Sequence, residues 1–80
     1  MRDTLLFLVS SLVSEPNAVS VDEQEEEGKT TLTLHVAPED MGKIIGKNGR
    51  IIRAVRDLVK ILGAKRNTYV DVVLDEANAN

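Results

Sequence analysis

The sequence contains no cysteine and no tryptophan, and it has only one tyrosine and one phenylalanine. Without cysteine, neither a disulfide framework nor a thiolate zinc site can stabilise the chain, and a reducing cytoplasm is the expected environment. With so few aromatic residues, successive bases of a nucleic acid have no row of rings on which to stack. The core must also be thin, because a chain of 80 residues buries only about 60% of its unfolded surface.

Long apolar runs are also missing. The longest one, residues 5–13, is interrupted by Ser10 and Ser11 and is far shorter than the roughly 20 residues that a membrane span requires. Asp3 interrupts the positive start that a signal peptide would need, and no small-residue cleavage site follows it. We therefore expect a cytoplasmic protein with no membrane insertion.

Catalytic and cofactor-binding patterns are absent too. One histidine, His35, cannot form a metal site alone, and no nucleophile is paired with a base. The segment 42–48 resembles a P-loop, but it has three residues between its glycines where four are needed, and Asn48 replaces the hydroxyl that binds magnesium. We predict a protein that is not an enzyme and that carries no metal or cofactor.

Charge is distributed very unevenly along the chain. The net charge is −3, yet residues 41–66 hold eight of the ten basic side chains and a single acidic one, Asp57. The first 40 residues are strongly acidic by comparison, with a run at Glu25, Glu26 and Glu27. A concentrated basic segment on an acidic body is typical of a protein that meets a polyanion on one face.

Hydrophobic periodicity predicts a helix, two strands, two helices and a final strand. In chain order these are a helix that Asp3 caps and Pro16 ends, strands near 19–22 and 31–36 with a turn at 25–28, a helix over 38–45, a helix from Arg50 to a cap at Gly63, and a strand over 69–74. Strands followed by helices predict an α+β fold with three strands covered on one face by helices. We expect one domain over residues 1–80, with 76–80 as a frayed tail.

Individual side chains can be placed from the same pattern. His35 alternates with the apolar residues of its strand and is expected to be exposed, whereas Tyr69 is expected to pack at the start of the last strand. The apolar face of the helix that begins at Arg50 consists of Ile51, Ile52, Val55, Leu58, Val59 and Leu62.

The loop between the last two helices carries the most specific chemistry. This glycine loop, residues 46–49, has glycine at both ends, so that a phosphodiester can approach the backbone closely. The helix that begins at Arg50 points its unpaired amides and its positive dipole end at the loop, and Lys47 adds charge. An ordinary interhelical turn is the alternative interpretation of the two glycines.

The segment Ile44-Ile45-Gly46-Lys47-Asn48-Gly49-Arg50-Ile51-Ile52 resembles the signature I-I-G-x-x-G-x-x-I of KH domains, and every fixed position matches. The element order is similar to that of type II KH domains, in which the extra helix and strand come first. The length and the segment 36–43 resemble the bacterial single-domain KH proteins of the KhpA family. The resemblance covers nearly the whole chain.

The resemblance implies an RNA chaperone or post-transcriptional regulator that binds single-stranded RNA. It also implies a homodimer, or a heterodimer with a larger KH protein, KhpB (also called Jag or EloR), with a role in cell-wall homeostasis, elongation and division. Residues 46–49 would clamp the sugar-phosphate backbone. The RNA-binding residues carried over by position, or added as basic neighbours, are Gly46, Lys47, Asn48, Gly49, Arg50, Ile45, Ile52, Lys43 and Arg53.

Two alternatives remain open from the residues. The chain could instead be a protein-interaction subunit that stabilises a larger KH-containing partner and binds little RNA itself. A KH groove of about four nucleotides also accepts single strands of both RNA and DNA. The acidic run at residues 25–27 departs from what a KH groove favours, and it would weaken binding if it lay near the RNA path.

Overall fold

The computed structural model describes residues 1–76, so four of the five residues predicted as a frayed tail lie outside the described part. The elements are α1 (Arg2–Ser10), β1 (Ser20–Glu26), β2 (Lys29–His35), α2 (Met41–Ile45), α3 (Arg50–Lys65) and β3 (Tyr69–Leu74). The predicted order and the α+β fold class are therefore confirmed.

The sheet has the strand order β1-β2-β3. β1 and β2 pair antiparallel, with Val21 opposite Leu34, and their hairpin turns at Glu27 and Gly28, which both have positive φ. Two consecutive residues with positive φ match the right-handed twist of the strands that they join. β2 and β3 pair in parallel, and α2 and α3 lie between them in the sequence, as a crossover requires.

The core lies between one face of the sheet and the helices. β2 alternates buried and partly exposed side chains along its whole length, and this period of two places every second residue under the helices. α1 contributes two buried residues, Leu5 and Val9, which are one helical turn apart. The full buried apolar cluster comprises Leu5, Val9, Val21, Leu32, Leu34, Val36, Met41, Ile44, Val55, Val59, Val70 and Val72.

The predicted bounds of the first helix are wrong at both ends. Asp3 lies in the first turn and does not cap the helix. The helix ends at Ser10 rather than near Pro16, because the amide of Leu12 donates to the carbonyl of Val9, three residues back, while the hydroxyl of Ser11 also donates to the carbonyl of Phe7. Leu12 consequently lies beyond the helix and is exposed, and Pro16 begins a separate 3₁₀ turn.

α3 continues to Lys65, so Gly63 is not its cap. Gly63 is buried inside the helix, where a Cβ atom would lie 2.8 Å from Cγ2 of Val70 and 3.0 Å from the carbonyl oxygen of Thr68. The left-handed residue after the helix is Asn67, with a φ of 57°. Position 63 therefore requires glycine, because any side chain there would prevent the close approach of α3 to β3.

The apolar face of α3 is only partly covered, and Tyr69 is not packed as predicted. Ile51 and Leu58 are exposed, and only Val55, Val59 and Gly63 of α3 are buried. α3 is amphipathic with an apolar face wider than the sheet beneath it can cover. Tyr69 does not pack, because its side chain points away from the core and is 77% exposed.

His35 is half-buried rather than exposed. Its Nε2 lies 2.9 Å from Oδ2 of Asp22, and its Nδ1 lies 3.0 Å from Oδ2 of Asp75. The imidazole therefore links β1 to the segment that follows β3. A polar side chain on the open face of the sheet is half-covered here by its cross-strand neighbours.

A buried carboxylate fixes the segment between α1 and β1 against α2. Asp40 is fully buried, and it accepts hydrogen bonds from the amides of Ser14 at 3.0 Å and of Glu15 at 2.9 Å. The Ser14 amide bond is the main cause that lowers the pKa of Asp40; burial opposes it, and the Glu15 amide and the Lys43 charge add to it. Asp40 is thus kept ionised where its charge is fully hydrogen-bonded.

Candidate nucleic-acid interface

The glycine loop joins α2 to α3, and three of its four residues have a positive φ. Gly46 has φ 74° and ψ 175°, Asn48 has φ 58° and ψ 26°, and Gly49 has φ 72° and ψ 19°. The amide of Gly49 donates to the carbonyl of Gly46 at 3.2 Å, which closes the turn. Between the two glycines the chain makes a single tight turn.

Gly46 cannot be replaced without a local shift. A Cβ atom there would lie 2.6 Å from Cγ1 and 2.9 Å from Cβ of Ile51. Its φ and ψ also fall in a region that is essentially restricted to glycine. At Gly49 a Cβ atom would meet nothing closer than Nη2 of Arg53 at 3.6 Å, so the requirement for glycine there comes from φ alone.

The polar residues of the loop face solvent. Lys47, Asn48 and Arg50 are exposed, as a site for a large anion requires. Nη2 of Arg53 donates to the carbonyl oxygen of Asn48 at 2.6 Å, so this guanidinium, one turn into α3, braces the loop. Because α3 has 16 residues and no side-chain cap, its positive end is directed at the loop.

Beside the loop lies a groove of about 340 Å³. This loop groove is bounded by α2 and α3 on one side and by β3 on the other, and its main lining residues are Ile45, Ile52, Arg56, Val72, Val73 and Leu74. Its floor is aliphatic, and Arg56 and Glu76 provide its charges. An aliphatic groove next to a glycine turn can hold the bases of a nucleic acid by apolar contact while the turn holds its sugar-phosphate backbone.

Arg56 and Lys60 reach from α3 to the edge of the sheet. Nη2 of Arg56 and Nζ of Lys60 each lie 3.7 Å from Oδ1 of Asp71, and the Nε of Arg56 is buried without a hydrogen-bond partner. Burial raises the pKa of Asp71, but the Val72 amide and the neighbouring cations outweigh it, so the net shift is downward. This carboxylate therefore stays charged between two cations.

The structure brings most of the sequence-predicted site residues together. The loop residues, Arg50 and Arg53 form one exposed surface, and Ile45 and Ile52 line the adjoining groove. Lys43 is engaged elsewhere, since its Nζ contacts Oγ of Ser14 and lies 3.7 Å from Oδ1 of Asp40.

Two features of the site were not predicted. Sequence reasoning did not identify the wall formed by β3, because the pairing of β3 with β2 across the crossover leaves no local pattern. The acidic residues 25–27 lie at the hairpin, at the end of the sheet where β3 begins and away from its Leu74 end, which lines the loop groove.

Within residues 1–76, no group of three or more histidine and carboxylate side chains could hold a metal ion. In the same described residues, no helix is long and apolar enough to cross a membrane.

The order α-β-β-α-α-β, the parallel last strand and a G-x-x-G turn between α2 and α3 define the class of type II KH domains. The family model described as "KhpA/KhpB, KH domain" matches residues 2–74. The chain therefore belongs to the KhpA/KhpB KH-domain family, and this membership confirms the prediction that it is not an enzyme.

Curated relatives agree with this assignment. The chain is 46% identical over 72 residues to "RNA-binding protein KhpA" of Clostridium acetobutylicum, covering 90% of this chain and 96% of the relative. It is 42% identical over 76 residues to the protein of the same name from Oceanobacillus iheyensis, covering 91% of this chain and all of the relative. The Listeria monocytogenes protein of that name is 37% identical over 76 residues, covering 95% of this chain and all of the relative.

Proposed function

We propose that this chain binds single-stranded RNA, with the glycine loop on the sugar-phosphate backbone and the bases in the loop groove. The observation that carries the proposal is the loop itself: Gly46 can be nothing but glycine, and Lys47 and Asn48 are both exposed at its tip. A structural turn alone would not require two exposed polar side chains beside an aliphatic groove. The names of the relatives as RNA-binding proteins support the same proposal.

The roles of the residues follow from their positions. Lys47 and Arg50 neutralise phosphates, and the small loop lets the strand approach the start of α3. Arg53 donates to the Asn48 carbonyl and holds it in place, so that the loop is already shaped before RNA arrives. Ile45 and Ile52 contact base faces through aliphatic surface. Lys43 contributes long-range charge from its place beside Asp40.

The test is binding of short single-stranded RNA to the wild type and to a Lys47→Asp, Asn48→Asp variant. A matched control, Lys65→Asp with Asn17→Asp, makes the same change in net charge at exposed positions outside the glycine loop. We expect the loop variant to lose binding and the control to keep most of it, with circular dichroism showing that all three fold. Equal losses in the two variants would mean that only net charge matters.

Salt dependence distinguishes RNA binding from the alternative of a pure interaction subunit. Log affinity for a single strand should fall with log salt by about 0.7 for each phosphate that is neutralised. An apolar protein interface should respond little. A folded wild type that binds neither single-stranded RNA nor single-stranded DNA would favour the interaction subunit.

We propose in addition that the chain pairs with a second KH domain, either another copy of itself or a KhpB-type partner. The supporting observation is an uncovered stripe on α3, formed by Ile51, Ala54, Leu58 and Ile61, at alternating spacings of three and four residues. This spacing is the one that lets two helices pack along their length. Pairing would also join two small RNA grooves, and joined sites can gain roughly 10²- to 10⁴-fold in avidity.

The pairing is tested by Ile61→Lys, which places a charge at the C-terminal end of the stripe, where Ile61 is 57% exposed. We expect the variant to sediment as a monomer at concentrations where the wild type is dimeric. Phe7→Lys is the matched control, because Phe7 is an even more exposed apolar residue but lies on α1. Dimers that persist in Ile61→Lys would remove α3 from the interface.

The cellular role is proposed from family membership. We propose a cytoplasmic single-domain protein over residues 1–80 that acts as an RNA chaperone or post-transcriptional regulator, together with KhpB, in cell-wall homeostasis, elongation and division. Co-purification of KhpB with the wild type, and its loss with Ile61→Lys, would support the partnership. Complementation of a deletion strain by the wild type, compared with the Lys47→Asp, Asn48→Asp variant, would show whether cell shape depends on RNA binding.

A further inference from the structure

A second groove of about 730 Å³ runs along the β3 edge of the sheet. This edge groove lies between the second half of α3 and the start of β3, and six of its lining residues are Lys29, Lys60, Asn67, Thr68, Tyr69 and Asp71. It is larger than the loop groove, and the function proposed above makes no use of it. Its lining combines two ammonium groups, uncharged hydrogen-bonding groups and the single tyrosine of the chain.

The edge groove and the loop groove follow one another along the same two elements. Asp71 lines the edge groove and its neighbour Val72 lines the loop groove. On α3, Arg56 lines the loop groove and Lys60, one turn later, lines the edge groove. The cations that meet Asp71 therefore stand where the two grooves join, and a strand that leaves one groove enters the other.

Tyr69 closes the far end of this path. Its side chain is 77% exposed and lies opposite Lys29 in the parallel pairing of β2 and β3. Tyr69 and Lys29 also line a third concavity, together with Glu26 and Glu27 of the hairpin, whose carboxylates repel an anion. The ring therefore stands at the boundary between a cationic surface and an acidic one.

We infer that the edge groove is a second RNA subsite, in which Tyr69 stacks on a base beyond the four-nucleotide loop groove and Lys29 and Lys60 neutralise its phosphates. The inference rests on the proposed function, because the strand enters the edge groove from the loop groove. An exposed ring beside cations suits a nucleotide, which offers an aromatic face and a negative charge together. An acidic peptide would match the lysines but not the ring, so RNA is favoured over a protein partner.

The test compares a tetranucleotide with an octanucleotide of the same single base. We expect the wild type to bind the octanucleotide more tightly by about 5- to 150-fold, the range for stacking of one base on an aromatic side chain. Tyr69→Thr keeps a good strand former but removes the ring, and it should lose most of that gain while its tetranucleotide affinity is unchanged; what remains comes from Lys29, Lys60 and the additional binding registers of the longer strand. Tyr69→Phe, which keeps an aromatic face, should retain the gain.

Intrinsic fluorescence supplies an independent readout, because the chain has one tyrosine and no tryptophan. Stacking should quench the emission when the octanucleotide saturates the protein, and the tetranucleotide should leave it unchanged. A Lys29→Gln, Lys60→Gln variant should weaken octanucleotide binding and its salt dependence, with little effect on the tetranucleotide.

The possible results separate this inference from the function on which it rests. Loss of both oligonucleotides in Lys47→Asp, Asn48→Asp supports the loop as the primary site, whatever happens at Tyr69. A length gain of the same size in Tyr69→Thr as in the wild type, or a bound octanucleotide without quenching, overturns the edge groove as an RNA subsite. Quenching by an acidic peptide and not by the octanucleotide also overturns it and assigns the groove to a protein partner.

Discussion

Gly46→Ala tests whether the backbone of the glycine loop is as constrained as its geometry indicates. The new methyl group would overlap Ile51, with closest distances of 2.6 and 2.9 Å. The backbone of Gly46, at φ 74° and ψ 175°, is also one that other residues adopt at a cost of about 1–3 kcal/mol. Overpacking adds about 1–3 kcal/mol, so keeping the present loop would cost about 2–6 kcal/mol.

That cost is large for a domain of this size, for which about 4–12 kcal/mol of total stability is typical. Two other glycines provide matched controls. Gly28 also has a positive φ, of 81°, but a Cβ atom there meets nothing within 4 Å, so Gly28→Ala should cost about 1–2 kcal/mol. Gly42 lies in α2 with open space around it, and Gly42→Ala should be neutral or stabilising by up to about 1 kcal/mol.

The assay is urea denaturation followed by circular dichroism, together with RNA binding of the folded proteins. We expect the order of stability Gly42→Ala, wild type, Gly28→Ala, Gly46→Ala, and a loss of RNA binding in Gly46→Ala alone. If Gly46→Ala were as stable as Gly28→Ala within about 0.5 kcal/mol and bound RNA normally, Ile51 would have to move freely. The account of the loop as a rigid, pre-shaped site would then be wrong.

Three further predictions concern contacts around the site. Gly63→Ala should destabilise the protein by about 1–3 kcal/mol through overlap with Val70, despite the better helix propensity of alanine, and a more stable variant in urea would contradict this. The pKa of Asp40 is lowered in the folded state, so its contribution to the free energy of unfolding is present above its ordinary pKa of about 3.9 and is lost as the pH falls through the folded value. Asp40→Asn should therefore be less stable at neutral pH, and its stability, measured by urea denaturation, should fall less steeply in acid than that of the wild type. Stability–pH curves that run parallel would refute this role of the Asp40 carboxylate. Arg53→Ala should weaken RNA binding by about tenfold through loss of the hydrogen bond to the Asn48 carbonyl. The free energy of unfolding should change by less than about 0.5 kcal/mol, because the side chain is exposed. A lower unfolding free energy with unchanged RNA affinity would make the hydrogen bond purely structural.

Local patterns were sufficient for the element order and for the loop. Each of these features depends on a few neighbouring residues: the alternation in β2, the turn at Glu27 and Gly28, where φ is positive, and the spacing of the glycines at 46 and 49. These features depend on backbone sterics and side-chain period, which do not need the rest of the fold. For this reason the loop and most of its flanking residues could be identified before the structure.

Errors arose where a distant element decides the outcome. Gly63 was predicted to cap α3, but it lies inside the helix, where the helix packs closely against β3. Ile51 and Leu58 lie on the apolar face of α3, but the sheet does not cover them. Tyr69 reads as a packing residue because it is aromatic, yet the register of β3 turns it outward. None of these outcomes can be read from spacing along one helix or strand.

The parallel pairing of β3 with β2 has a consequence for how the protein is made. β2 lies in the middle of the sheet, and its second edge stays open until Tyr69–Leu74 has left the ribosome. Until then Leu32 and Leu34 lack one of their strand neighbours, and the loop groove lacks the wall that Val72, Val73 and Leu74 provide. A nascent chain can therefore form its glycine loop early, but it completes its loop groove only when β3 pairs with β2. A chain with a complete loop groove has therefore also finished folding.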